Sequence, residues 1–124
     1  MDCILNKTKD KVLAGQAKVA DNFFFRLAGL MFRRGLVKEQ ALIFYRTNSI
    51  HTCFMRFDLD VLFVSRDLRV VRLIKRLKPW RMVFCRSAYA VIEFSADNNN
   101  LAETESGDQL ALIPAPVHPG GGKE

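Results

Sequence analysis

The chain has 124 residues, which suits one small domain, because a single hydrophobic core serves roughly 100 to 200 residues, and two independent domains are excluded. Hydrophobic residues at 49% and charged residues at 26% are ordinary globular values, and they exclude global disorder and a membrane-embedded chain. The net charge of +6 hides a split: residues 1–94 carry 18 Lys/Arg against 8 Asp/Glu, whereas residues 95–124 carry 1 against 5.

The first residues, Met1 to Lys7, lack the apolar core of a signal peptide, and no apolar stretch approaches the ~20 residues that a spanning helix needs. A cytoplasmic protein without a membrane span is expected. Residues 1–11, rich in Lys and Asp, read as an N-terminal extension, residues 12–113 as a single globular β-rich domain, and residues 114–124 as a flexible Pro/Gly-rich tail in which His118 is solvated. From Asp21 the pattern turns helical. Phe23, Phe24, Leu27, Leu30 and Met31 share one face, Asp21 or Asn22 can cap the start, and Arg33, Arg34 and Gly35 suit an end, so one short amphipathic helix is expected over residues 22–33.

Strand texture follows. Ala41–Tyr45, Ile50–Phe57, Val61–Val64, Val70–Leu77, Met82–Phe84 and Ala88–Phe94 are short, rich in β-branched and aromatic residues, and separated by polar turns. Residues 68–78 also fit a 3.6-residue period, but their Val and Ile content and the stop at Pro79 favour a strand. The expected fold is mainly β: a compact antiparallel sheet closed as a small barrel or sandwich, with the one helix. Cys3, Cys53 and Cys85 are odd in number and contain no C-x-x-C pair, so reduced, unreactive thiols are expected rather than a disulfide framework or zinc knuckle.

The run Ser49-Ile-His-Thr-Cys-Phe-Met-Arg-Phe-Asp-Leu-Asp-Val-Leu-Phe-Val64 resembles the signature of the domain-of-unknown-function 192 family. Arg26-Leu-Ala-Gly-Leu-Met-Phe-Arg33 resembles that family's helix end, Leu77-Lys-Pro-Trp-Arg81 its L-x-P-W-R element, Tyr89-Ala-Val-Ile-Glu93 its aliphatic-Leu-Glu strand, and Gly107-Asp108 its closing pair. The resemblance covers roughly residues 12–112 and implies a compact, mostly β domain with a short helix, without implying an activity. Asp58 stands where the family has Pro, Leu68 where a turn Gly is common, and Asp97 where a small Gly follows the strand. Without Gly the easy route to positive φ is gone, so reshaped loops are expected there.

Several residues could carry chemistry. His51, Cys53 and Met55, spaced by two on a strand, offer imidazole, thiolate and thioether to a soft metal such as copper, although Met55 is as well explained as core filler. His51 with Thr52 can act as acid, base or hydrogen-bond anchor, or simply orient the strand. Asp60 and Glu93 sit in apolar strands where a charge needs a partner, and Arg56 and Arg81 are the available cations. Trp80 either covers the core or offers a stacking platform. No nucleophile-elbow, zinc-protease or phosphate-loop pattern occurs, and no cofactor is indicated.

The function expected from these features is a non-catalytic binding or accessory module with a cleft formed by His51, Thr52, Asp60, Trp80, Arg81 and Glu93. One alternative is polyanion binding, nucleic acid above all, through a basic face of Arg66, Arg69, Arg72, Lys75, Arg76 and Lys78, continued by Arg81 and Arg86; solvated charges protecting a sheet edge are the plainer explanation of that run. Another is a small enzyme using His51 with Asp60 or Glu93. A polyanion or a protein is the partner class these patterns admit, and they leave the oligomeric state open.

Overall fold

A computed structural model describes residues 2–19, 40–53, 55, 57–96 and 99–114. Its strands are β1 (Asp2–Asn6), β2 (Lys11–Val19), β3 (Gln40–Tyr45), β4 (Ser49–His51), β5 (Leu59–Val64), β6 (Val70–Leu77), β7 (Met82–Phe84), β8 (Ala90–Ser95) and β9 (Leu110–Pro114), with one 3-10 turn at Asn99–Leu101. Strands β3, β5 and β8 are apolar at nearly every position, the pattern of strands covered on both faces, and they lie adjacent in a seven-stranded sheet of order β6-β5-β8-β3-β2-β1-β9. Strands β4 and β7 form a separate two-stranded ribbon.

The sheet curls into a half-barrel. One face collects Ile4, Leu13, Ile43, Leu62, Val70, Ile92 and Leu110, one residue from each of the seven strands, and is therefore the inside of the curl. At one end the two edge strands meet: Arg69 bridges Gln109, and the amides of Val70 and Leu110 donate to the carbonyls of Asp108 and Leu68 at 2.8 and 2.9 Å. The other face gathers Leu42, Phe44, Val61, Phe63 and Val91 and is covered by Ile50 and Val83 of the ribbon together with Met55. Two apolar layers thus share one sheet, and each fully buried large side chain contributes roughly 1.5–3 kcal/mol.

Several expectations change. The architecture is a curled half-barrel, and it is not purely antiparallel, because β2 and β3 pair in parallel with Gln16 opposite Gln40. A parallel pair needs a crossover of a dozen or more residues, which the stretch between Val19 and Gln40 supplies. The helix expected over 22–33 lies outside the described residues. So does the tail beyond Pro114. Within the segment read as an N-terminal extension, Asp2–Asn6 is strand β1, paired on both sides, with Ile4 and Asn6 fully buried. The strand expected from Ile50 to Phe57 stops at His51. Residues 70–77 are a strand, as the Val and Ile content indicated. Leu68 keeps the left-handed conformation its turn requires, at φ 66°, although it is not Gly. The turn is pinned by Ser65, whose carbonyl accepts from the Leu68 amide at 2.9 Å and whose hydroxyl accepts from the Arg69 amide at 3.0 Å. Among the described residues no helix is long and apolar enough to cross a membrane.

Candidate functional site

Of the six residues expected to form one cleft, Thr52, Trp80 and Arg81 are joined by hydrogen bonds next to His51, whereas Asp60 and Glu93 lie elsewhere in the sheet. Thr52 is fully buried and stitches its own segment to the Lys78–Arg81 turn: its hydroxyl donates to the Lys78 carbonyl at 2.6 Å and accepts from the Arg81 amide at 2.9 Å, while its backbone bonds to Arg81 and Trp80. This role is structural. Thr52→Val, which keeps the shape and removes the hydroxyl, is expected to cost about 1 to 3 kcal/mol in thermal unfolding; a melting temperature equal to the parent's would show that the turn holds without it.

Asp60 and Glu93 lie on opposite faces of the sheet, since Asp60 pairs with Phe94 and Val61 with Glu93 in adjacent strands, and side chains alternate. Asp60 accepts the Arg76 amide at 2.9 Å, closing a bulge in β6 where Arg76 takes a φ of 53°. Glu93 sits beside Leu42 and Val61 in the outer apolar layer, and among the described residues its buried Oε1 has no hydrogen-bond partner. Burial alone pushes its carboxyl up to about 8. Of the two cations expected to pair with them, Arg56 lies outside the described residues, and the guanidinium of Arg81 donates weakly to the carbonyls of Pro79 and Trp80. The backbone amide of Trp80 donates to the Thr52 carbonyl, and the residue as a whole is 59% exposed.

The sulfur and imidazole set also separates. With β4 ending at His51, Cys53 falls in a turn and Met55 is buried in the outer core layer. Among the described residues no group of three His, Cys, Asp or Glu side chains converges. All three cysteines are free and half-buried.

Open space does occur next to His51. Thr47, Ser49, Ile50, His51 and Met82 line a recess of about 210 Å³ on the outer side of the ribbon. It shares Thr47 with a larger concavity of about 440 Å³, lined by Arg46, Thr47, Asn48, Arg66, Ala88 and Tyr89. The floor of this second space is built by the chain's own bonds: the Thr47 amide donates to the Tyr89 carbonyl at 3.0 Å, the Cys85 amide to the Asn48 carbonyl at 2.8 Å, and the Tyr89 amide to the Val64 carbonyl at 2.8 Å. The Arg66 guanidinium lies 4.3 Å over the Tyr89 ring, which is tilted against Tyr45 at 6.3 Å. Stacking fixes a guanidinium while leaving its edge donors free for a ligand. Among the described residues neither Arg46 nor Arg66 has a carboxylate partner, the ion pairs being those of Lys9. Arg66 was legible in the sequence as part of the basic run. Arg46 and Tyr89 were not, because they meet it only when the end of β3 is brought to the turn before β8.

The basic residues at 66, 69, 72, 75, 76, 78, 81 and 86 are all exposed, and those of β6 decorate an edge strand of the sheet. Arg69 also donates to the Gly107 carbonyl at 2.8 Å. A polar cluster that sequence reading did not single out lies at the closed end. Asn6, Thr104 and Asp108 are buried; Asn6 donates to Thr104 at 3.1 Å and to Asp108 at 2.9 Å, and the Lys9 ammonium bonds Asp108 at 3.0 Å and Glu105 at 2.7 Å. Burial raises the Asp108 carboxyl, but bonds from Asn6, the Glu105 amide and Lys9 together hold it below the usual carboxylate range. This closed network is structural. Two acidic residues of the negative C-terminal region are thereby spent on Lys9, not on the basic 66–86 run.

A curled sheet capped by a two-stranded ribbon, with its open space at the strand ends, defines a small β half-barrel domain. The family model for the domain-of-unknown-function 192 family, described as "Uncharacterized ACR", matches residues 4–112, and the chain belongs to this family. It is similar to a UPF0127 protein of Thermococcus sibiricus, 36% identical over 129 residues, with 92% of this chain and 82% of that protein covered. It is also similar to a UPF0127 protein of Pyrococcus furiosus, 39% identical over 114 residues, with 86% and 95% covered. Among solved structures, a protein of unknown function from Novosphingobium aromaticivorans superimposes with a TM-score of 0.70 at 21% identity, covering 89% of this chain and 82% of that one. A Sinorhizobium meliloti protein provisionally described as a transcription regulator superimposes with a TM-score of 0.67 at 18% identity, covering 90% and 91%. These two likenesses concern the fold.

Proposed function

We propose that the protein is a non-catalytic binding module whose ligand is a small anion-bearing molecule, seated between Arg46 and Arg66 on the Tyr89 side and extending past Thr47 toward His51. The observation that supports this is the pair of guanidinium groups lining one concavity with no carboxylate among the described residues to neutralise them. His51, at the far end of the adjoining recess, offers an imidazole that can donate or accept a hydrogen bond with what lies beside it. The candidate cleft near His51 is retained in this reading, with Arg46, Arg66 and Tyr89 in place of Thr52, Asp60 and Glu93.

The test is a titration of the labelled protein with phenyl phosphate, followed by nuclear magnetic resonance. Amide shifts are expected at Thr47, Asn48 and Tyr89, and Arg66→Ala is expected to weaken binding by roughly tenfold, equivalent to the ~1.4 kcal/mol of one charge-assisted hydrogen bond. Absence of shifts at those amides, or identical affinity in Arg46→Ala and Arg66→Ala proteins, would sink the reading. A second reading, polyanion binding over the 66–86 face, is favoured by the exposure of every cation in that run. It predicts affinity for an oligonucleotide that falls steeply with added salt.

A further inference from the structure

We propose that the outer side of the β4–β7 ribbon is a docking surface for an anionic lipid bilayer, with Trp80, Met82 and Phe84 entering the interface and the surrounding cations meeting the headgroup phosphates. Ile50 and Val83 are paired and turned inward onto the core, so alternation sends Met82 and Phe84 outward beside His51 and Ser49. They are 73% and 62% exposed, and Trp80 is 59% exposed. Single exposed apolar residues are ordinary; here Trp80 stands in the turn immediately before the strand that sets out Met82 and Phe84, so three large exposed apolar side chains fall within five residues and make up an apolar ridge. The ridge is held in place, because the bonds from Thr52 to the Lys78–Arg81 turn fix the backbone that presents Trp80, at a φ of 63°.

The charge around the ridge identifies its occupant. From Leu68 through Ile92 the chain has seven Lys/Arg and no Asp or Glu. The Arg72 guanidinium donates to the Phe84 carbonyl at 3.4 Å, and that of Arg81 to the Pro79 and Trp80 carbonyls at 3.4 and 3.5 Å, which puts two cations against the base of the ridge. Lys78 and Arg86 are exposed at its two ends. A second copy of the chain would set these cations against their own like. A nucleic acid would satisfy the cations and stack on the rings, yet would offer nothing to Met82, the most exposed of the three. An anionic bilayer accepts both features: aromatic and thioether side chains at the acyl boundary, Lys and Arg at the phosphates. The surface uses neither Arg46 nor Arg66 and meets the small-anion reading only at the His51 recess, through Met82, so Arg66→Ala tests that reading without touching this one.

Because Trp80 is the only tryptophan, its fluorescence reports on the ridge directly. The purified chain is mixed with vesicles of phosphatidylcholine alone or with about one-third phosphatidylglycerol, the anionic lipid that supplies the surface potential. Cosedimentation with the anionic vesicles only, accompanied by a blue shift of Trp80 emission, is expected. A Met82→Ser/Phe84→Ser protein, with unchanged melting because both positions are exposed, is expected to partition at least roughly tenfold less. Lys78→Ser should lower partitioning roughly fivefold, and Lys7→Ser, the same change of charge on the distant β1–β2 turn, by less than about twofold. The proposal is overturned by absence of sedimentation, by sedimentation without a shift in emission, by binding that survives the double substitution, or by tighter binding of a single-stranded oligonucleotide that shifts Trp80 equally.

Discussion

Between pH 5 and pH 8 the parent protein loses several kcal/mol of stability that a Glu93→Gln variant retains. The Glu93 carboxyl is buried beside Leu42, Val61 and Val91, its Oε1 has no hydrogen-bond partner among the described residues, and burial raises it from an ordinary value of 4.5 to about 8. The folded state therefore keeps a proton that the unfolded chain has already released. Stability from this group is fully present below 4.5 and is lost as the pH climbs through about 8. At roughly 1.4 kcal/mol per pH unit the accumulated loss is several kcal/mol. Glutamine fills the same volume and cannot ionise, so its slope over this window is flat. Denaturant unfolding of parent and variant near both pH values measures the difference; parallel curves would mean that Glu93 finds a compensating cation in the folded state.

Asp108→Ala is expected to lower stability by roughly 2 to 3 kcal/mol, because it leaves the buried Asn6 amide, the Glu105 N–H and the Lys9 ammonium without their shared acceptor. Beside the Asn6–Thr104 and Lys9–Glu105 bonds, this carboxylate joins the β1–β2 turn to the loop before β9 through both Asn6 and Lys9, so the loss appears as a drop in melting temperature together with earlier hydrogen exchange at both. An unchanged melting temperature would show that the edge-to-edge bonds at Val70 and Leu110 hold the closed end unaided. Its pH dependence has the opposite sign to that of Glu93. A carboxyl held below its ordinary value contributes stability above 3.8, and that contribution is lost as the pH falls through the folded value. Glu93 contributes below 4.5 and Asp108 above 3.8, so these two groups together place their joint maximum between those values.

Both carboxylates show why a sequence reading reaches residues before it reaches roles. Glu93 and Asp60 were recognisable as charges inside apolar strands, which is a local property. Which face each one meets depends on the registers of β5 with β6 and β8, and these set Asp60 against a bulge and Glu93 against hydrocarbon. Thr52 was legible as a polar neighbour of His51. Its actual partners lie 26 and 29 residues away at Lys78 and Arg81, a separation no local pattern encodes.

The sequence by itself determined the class of fold, the family, the positions of most strands from β3 onward, and the concentration of cations between Arg66 and Arg86. Those features follow from hydrophobic periodicity, turn residues and composition, which act over a few residues and need no partner to be read. Only the tertiary structure decided that Asp2–Asn6 is a strand of the sheet, that β2 and β3 run parallel, and that Arg46, Arg66 and Tyr89 surround one concavity with His51 next door. It also decided that Met82 and Phe84 stand in solvent, although their strand reads as apolar as any other. Strand pairing over long separations sets these outcomes, because a shift of one residue in register would turn each of those side chains to the opposite face.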